Sequence, residues 1–436
     1  MLLEETKVKI ISNCHAMNLN INNILLLIKN NEFDKSIEFL DVLIKENKNN
    51  FDYYYLRGVS NLNLIKYNKA IEDFSSAINI KDDNFLTYHF RGICYVKLNN
   101  LDKADKDFNK LITIKSDFPE VYNNLGFILY AKGDNEKAIV NFTKSIELNK
   151  KYQQPILALI NALSHTENVQ VNNSKIIDSH NEINKINFDY SSTEYIKEEN
   201  IKYFLKKTND IVDKNLDNLQ INITQAYIRH KNELNCKRHK KVFNNHDAIP
   251  EYCFGCYKIQ IEPDNVIDLI RLYILLKNIN LKNNNLRKCM IEFRSNITGK
   301  YKGLIYCDSL EESEFIQNQL IKTIDQNFNK KLLCKIKRGC TEFGMKYPKY
   351  DNLTSDAMTY KKEWKIYENS VDEKNPDLLF KRIIKPSIKG ISLNDVLIIR
   401  NWLAYAKMIG DDSYKHISDK VFNSDFINKK LKLRIN

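Results

Sequence analysis

A period of 34 residues constrains this chain more than any other feature. Gly58, Gly92 and Gly126 keep that step, as do Ala70, Ala104 and Ala138. So do Phe74, Phe108 and Phe142, and the aromatics Tyr54, Tyr88 and Tyr122. Four columns in register over three units mark one supersecondary unit used repeatedly. Apolar residues between the columns follow helical spacing, so each unit reads as two amphipathic helices. Gly and Ala are the small residues that let those helices cross closely, and Phe fills the space beside them. One such unit cannot bury its apolar face alone, so the units must stack.

These columns resemble the tetratricopeptide repeat over residues 17–165. The resemblance implies an all-α superhelix within a domain at 1–165. Its repeats fall near 17–50, 51–84, 85–118 and 119–152, with a capping helix at 153–164 that carries Ile156, Leu159, Ile160 and Leu163. The first repeat is degenerate: Ser36, Leu40 and Leu43 keep register, but Ile24 stands in the Gly column. In this family the inner face of each first helix holds a partner protein or peptide. The matching positions are Tyr55, Val59, His89, Ile93, Asn123, Phe127 and Tyr130, an apolar and aromatic groove with one amide. Basic residues that clamp a C-terminal carboxylate in some members are absent, with Leu56, Leu86, Phe90 and Glu120 in their places. Two occupants stay open for the groove, a separate partner and the later part of this same chain.

Charge separates the two halves. Residues 1–150 carry 20 Lys+Arg and 20 Asp+Glu, whereas residues 201–350 carry 27 and 16, nearly all of the net +12. A basic second half points to an acidic partner. Residues 166–194 are polar and read as a linker. Residues 195–235 read as a helical connector through Ile196, Phe204, Ile211, Leu219, Ile223 and Tyr227. No apolar run approaches the roughly 18 residues of a membrane span. The acidic start, without an apolar stretch, carries no secretory signal. Nine Cys, an odd count, fit a reducing, cytoplasmic setting.

Residues 236–345 alternate between short strand patterns and helical ones. Strands are expected at 257–261, 289–294, 303–307 and 332–338, with helices at 264–276 and 309–328. Ser309 and Glu312 form a capping box for the second helix. The order β-α-β-β-α-β is the ferredoxin-like arrangement, a four-stranded antiparallel sheet with both helices on one face. The remainder, 346–436, reads as mainly helical. One helix starts at Ser392-Leu393-Asn394-Asp395, runs to Met408 and stops at Gly410; another is expected near 358–368. Trp364 and Trp402 are expected as buried anchors.

Chemistry is concentrated in two places. Cys236-Lys-Arg-His239 and Cys253-Phe-Gly-Cys256 are two ligand pairs thirteen residues apart. Three thiolates and an imidazole suit a closed structural zinc site that staples this module. His246 is an alternative to His239, and Cys307 and Cys340 are reserves. A redox role for Cys253 and Cys256 is the weaker reading, because a strand follows them rather than a helix. The second place is the polar face of the sheet, where Lys258, Arg294, Lys335 and Lys337 surround Glu292 as an anion-binding set. Tyr306 is its one outward aromatic, so the base-stacking platform of RNA-recognition domains is missing. No phosphate loop, dinucleotide fingerprint or hydrolase motif is present. The reading is a protein-interaction adaptor whose repeats bind a protein or peptide and whose basic module binds an acidic partner. The alternatives are nucleic-acid binding, or an enzyme of unnamed reaction acting through Glu292, Arg294, Lys337, Arg338 and Glu342.

Overall fold

The structure is a computed structural model that describes residues 21–435 apart from 168, 172–173, 187–195, 218, 231–233, 329, 355, 380–381 and 421. Positions 17–20 of the expected first repeat lie outside the described residues. The chain divides into two compact units, Met1–Ile128 with Lys144–Tyr152, and Leu129–Thr143 with Gln153–Asn436.

The repeats form paired helices: α1 (Ile21–Lys29), α2 (Phe33–Glu46), α3 (Phe51–Asn63), α4 (Tyr67–Ile80), α5 (Phe85–Lys97), α6 (Leu101–Ile114), α7 (Pro119–Ala131) and α8 (Asn135–Leu148). The Gly and Phe columns meet as their sizes require. A Cβ on Gly58 would stand 2.7 Å from Phe74 Cε1, and one on Gly92 2.5 Å from Phe108 Cε1. Two further columns emerge with the same step. Arg57 pairs with Asp73 at 2.6 Å, and Arg91 with Asp107 at 2.7 Å, so the second and third repeats each clamp their two helices with a largely buried ion pair. A left-handed residue ends each first helix: Asn31, Ile65, Asn99 and Gly133, with φ of 62°, 62°, 59° and 79°. Asn and Gly suit that conformation, and β-branched Ile65 does not.

The second unit continues with α9 (Gln153–Leu163) and α10 (Lys175–Asn184). α10 corrects the expected linker at 166–194. It buries Ile177 and Ile183, an apolar content too sparse to show a period. Next come α11 (Glu198–Asn215) and β1 (Gln225–Ile228). β1 corrects the helical connector: Leu219, Ile223 and Tyr227 have helical spacing, but the local alternation buries Ala226 and Ile228 on one side. Then follow α12 (Cys236–His246), a 3-10 turn (Glu251–Phe254), β2 (Tyr257–Glu262), α13 (Val266–Asn278), β3 (Arg287–Ile291), β4 (Tyr301–Cys307), α14 (Leu310–Phe328), β5 (Leu333–Arg338) and α15 (Thr341–Lys346). The strands make one five-stranded antiparallel sheet in the order β1-β3-β4-β2-β5. The sheet therefore has one strand more than the sequence suggested.

α13 and α14 both contact β4 of that sheet. Gly303 lets α13 approach, since a Cβ there would lie 2.4 Å from Leu272. The expected second helix of the C-terminal part begins later, as a 3-10 turn at Lys362–Trp364 and α16 (Lys365–Lys374). α17 (Leu393–Met408) starts at the expected cap, with the Ser392–Asp395 capping box formed. Asp395 also accepts from Tyr273 Oη at 2.6 Å and Lys277 Nζ at 2.9 Å, which locks α17 to α13. Farther along, Asn401 Nδ2 donates to the carbonyls of Ile221 and Ile223, and Trp402 Nε1 to that of Thr224. Tyr405 Oη donates to the carbonyl of Glu292. α17 thus holds both the lead-in to β1 and the end of β3. α18 (Tyr414–Ile417) and α19 (Asp425–Ile435) follow. Among the described residues no helix is long and apolar enough to cross a membrane.

Ile65 is exposed and left-handed, so replacing it removes strain without disturbing packing. Ile65→Asn is expected to raise stability by about 1 kcal/mol. Urea unfolding followed by far-UV circular dichroism checks this.

Candidate anion-binding face and thiol cluster

Alternation along the strands puts one set of side chains under α13 and α14 and the other set on the opposite face. That opposite face forms a cavity of about 420 Å³. β1 contributes Gln225 and Tyr227, β2 Lys258 and Gln260, β3 Lys288 and Met290, and β4 Lys302, Leu304 and Tyr306. Glu292 and Arg294, with Cys236 and Lys240 of α12 and Cys340, Thr341 and Glu342 at α15, complete the wall.

Glu292 organises the charges. It is 4 % exposed and accepts from Arg294 Nε (2.8 Å), Arg294 Nη2 (2.8 Å) and Lys302 Nζ (3.0 Å). Burial alone would raise its pKa, but these bonds bring it down to about 2. Arg294 also reaches Glu342 at 2.7 Å, and Lys240 meets the same carboxylate at 3.4 Å. Lys288 is different. It is 9 % exposed, and its Nζ reaches Gln225 Oε1 at 3.3 Å and lies 5.5 Å from the Tyr227 ring centre. Burial, and then the neighbouring Lys258, push its pKa down to about 8. Lys258 is also buried, and its ammonium lies 5.9 Å from the Tyr306 ring centre.

The four expected anion-binding residues do not act alike. Lys258 and Arg294 line the cavity, the latter already ion-paired. Lys335 pairs with Glu262 at 2.7 Å, and Lys337 donates to Thr341 Oγ1 at 3.2 Å. Of the alternative catalytic set, Arg338 donates to the carbonyls of Phe254 and Met358, which is a structural role. Lys288 and Lys302 were missed. Both lie two alternation steps before residues the sequence had placed, Lys288 before Glu292 and Lys302 before Tyr306.

The thiols occupy one end of this module. Cys253 is buried in a cluster with Val242, Phe343, Tyr350 and Trp364, and Cys340 packs against it. Gly339, beside Cys340, donates its N–H to the carbonyl of Cys256 at 2.7 Å. Cys236, Cys253, Cys256 and Cys340 each lie within electrostatic reach of the other three. Burial pushes Cys236, Cys253 and Cys256 upward, Cys256 to about 12. Thiols that stay protonated at neutral pH make poor nucleophiles, which argues against the redox reading. His239 does not join them. It is buried, its ring is stacked 5.2 Å from Tyr252, and burial with the adjacent Arg238 lowers its pKa to about 4. His246 stacks on Tyr367 at 4.8 Å. Among the described residues no three His, Cys, Asp or Glu side chains stand as a ready metal-holding group. The expected set Cys236, His239, Cys253 and Cys256 is therefore not assembled, because Tyr252 takes the imidazole.

On the repeats, Tyr55, Val59 and Ile93 are half-buried and Phe127 is 39 % exposed. His89 is buried edge-on against Phe118 at 5.1 Å, and Asn123 donates to Tyr152 Oη at 3.2 Å. In the second unit, Tyr130 Oη accepts from Asn161 Nδ2 at 3.0 Å. Next to it the Ile383 N–H donates to the Ala131 carbonyl at 3.0 Å, so a C-terminal segment lies against this position.

The tetratricopeptide repeat family matches residues 119–152, and a TPR repeat family matches residues 92–133. The N-terminal third is a tetratricopeptide-repeat domain. Comparison with curated proteins gives no match. Among solved structures, MamA 41-end from Desulfovibrio magneticus RS-1 is 17 % identical with a TM-score of 0.31, covering 32 % of this chain and 80 % of that one. The first TPR of Spaghetti (RPAP3) bound to the HSP90 peptide SRMEEVD is 18 % identical with a TM-score of 0.25, covering 25 % and 86 %. YrrB, a TPR protein with an unusual peptide-binding site, is 18 % identical with a TM-score of 0.31, covering 44 % and 84 %. The two family matches end at residue 152, before the sheet and its cavity.

Glu292→Gln strands Arg294 and Lys302 beside a neutral amide. The expected loss is about 3 kcal/mol at pH 7. Because the native carboxylate titrates lower than in the unfolded chain, its contribution is complete above about pH 4.5. It fades as pH falls toward about 2, so the gap between variant and native protein narrows there. Both Trp residues lie in the second unit, so tryptophan fluorescence in urea reports this difference directly.

Proposed function

We propose that this chain is an interaction adaptor whose tetratricopeptide repeats hold a protein or peptide and whose sheet module binds an acidic group of a partner. The observation that carries the second half is a pair of buried lysines, Lys258 and Lys288, that face the cavity and have no ion pair among the described residues. The first half rests on the repeat family and on the accessible apolar positions Tyr55, Val59, Ile93 and Phe127. At Tyr130 a later segment of the chain lies close by, through the Ile383 N–H on the Ala131 carbonyl. The strand neighbours β3-β4-β2-β5, with α13 and α14 between them in sequence, support a ferredoxin-like core to which β1 adds an edge. A cavity walled by ion pairs suits a compact acidic group better than an extended nucleic-acid strand, which needs an open stacking surface.

An array of short peptides probed with the full chain tests the groove. Phe127→Ala should weaken retention of bound peptides at least tenfold while far-UV circular dichroism stays unchanged. Equal retention would remove the groove reading.

Zinc remains part of the proposal, with Cys340 in place of His239. Cys236, Cys253, Cys256 and Cys340 would together supply an all-sulfur ligand set. Elemental mass spectrometry on chelator-free protein is expected to give one zinc per chain, lost in Cys340→Ser and kept in His239→Ala. Absence of zinc from the native protein would end this reading.

A further inference from the structure

We propose that the cavity on the polar face of the sheet binds a phosphate monoester, with Lys258 and Lys288 as its anchoring cations. This rests on the acidic-group reading above and names the group.

The charge inventory leads to it. Five cations line the cavity, Lys240, Lys258, Lys288, Lys302 and Arg294, against two carboxylates, Glu292 and Glu342. Both carboxylates are engaged: Glu292 by Arg294 and Lys302, Glu342 by Arg294 and Lys240. The ion pairs among the described residues leave Lys258 and Lys288 with none, and Asp351 acts on Lys258 only from outside the cavity wall. Both are at least nine-tenths buried. Burying a cation without a counter-charge is unfavourable, and two such cations repel each other. A sequence selected for stability alone would replace them with apolar residues. Their presence marks a place where charge arrives with a ligand.

The number and kind of groups select the ligand. A carboxylate brings one charge and would leave one lysine uncompensated. A phosphate monoester brings about −1.5 to −2 at neutral pH and three strongly accepting oxygens. Two lysines match that charge, and the side-chain amide of Gln225 lines the same wall to donate to a further oxygen, while that of Gln260 already donates to Glu262 at 2.7 Å. Tyr227, Tyr306, Met290 and Leu304 give the esterified organic part an apolar surface. The volume, about 420 Å³, holds a phosphate with a small organic group rather than a folded partner.

The ester can come from a phosphorylated side chain or from a small phosphorylated metabolite. Titration calorimetry on the full chain at low salt separates them, with N-acetyl-phosphoserine amide and ribose 5-phosphate as probes and acetate as the monoanion control. At least one ester is expected to bind ten times more tightly than acetate, and which one does so identifies the source. Lys258→Met and Lys288→Met should each weaken that binding at least tenfold, while Lys322→Met on exposed α14 changes nothing. Lys288→Met should also raise the urea midpoint, because it removes an uncompensated buried cation. A purely structural lysine would show the opposite, a lower midpoint. If acetate and the esters bind alike and both lysine variants abolish binding, the phosphate assignment fails and the acidic-group reading stands. If no anion binds, or binding survives in both variants, the two fall together.

Discussion

Glu292 is the residue on which the second unit turns. Its carboxylate neutralises Arg294 and Lys302, its N–H donates to the carbonyl of Lys300, and its own carbonyl accepts from Tyr405 of α17. One position thus joins the electrostatics of the polar face to the packing of the C-terminal helix. Because it satisfies two of the five cavity cations, it also decides which cations are left over. The character of the site follows from this allocation: positive charge remains where β2 and β3 place Lys258 and Lys288, not spread over the whole face.

The repeats obey a different constraint, the space between two helices. Gly58 and Gly92 exist because Phe74 and Phe108 occupy the volume a Cβ would need. That contact is local and recurs every 34 residues, which is why the sequence revealed it. The Arg57–Asp73 and Arg91–Asp107 clamps recur with the same step. They were legible in principle and hidden by the abundance of charged residues on helix surfaces.

Less of the second half could be read. The strands β2 to β5 and the cap of α17 were visible because alternation and capping act over a few residues. β1 was not, since Leu219, Ile223 and Tyr227 mimic a helix and only pairing with β3 decides the matter. α10 was hidden for want of a period. The polar face was predicted in outline from alternation, but its chemistry was not. Which cations are paired depends on Glu262, Glu342 and Thr341, brought in from other strands and turns. The metal reading shows the same limit: spacing put His239 with the thiols, whereas packing turned it onto Tyr252 and brought Cys340 toward them.

The grip of α17 on the sheet has a consequence for how the protein is made. Every strand leaves the ribosome before residues 393–408 do. Until then the carbonyls of Ile221, Ile223 and Thr224 lack their side-chain donors, and Tyr273 and Lys277 lack Asp395. The sheet can pair early but is not held until synthesis is almost finished. The earlier repeats, whose contacts are between neighbours, have no such wait. During translation the two parts therefore mature at different times, with the earlier repeats packed while the sheet is still open.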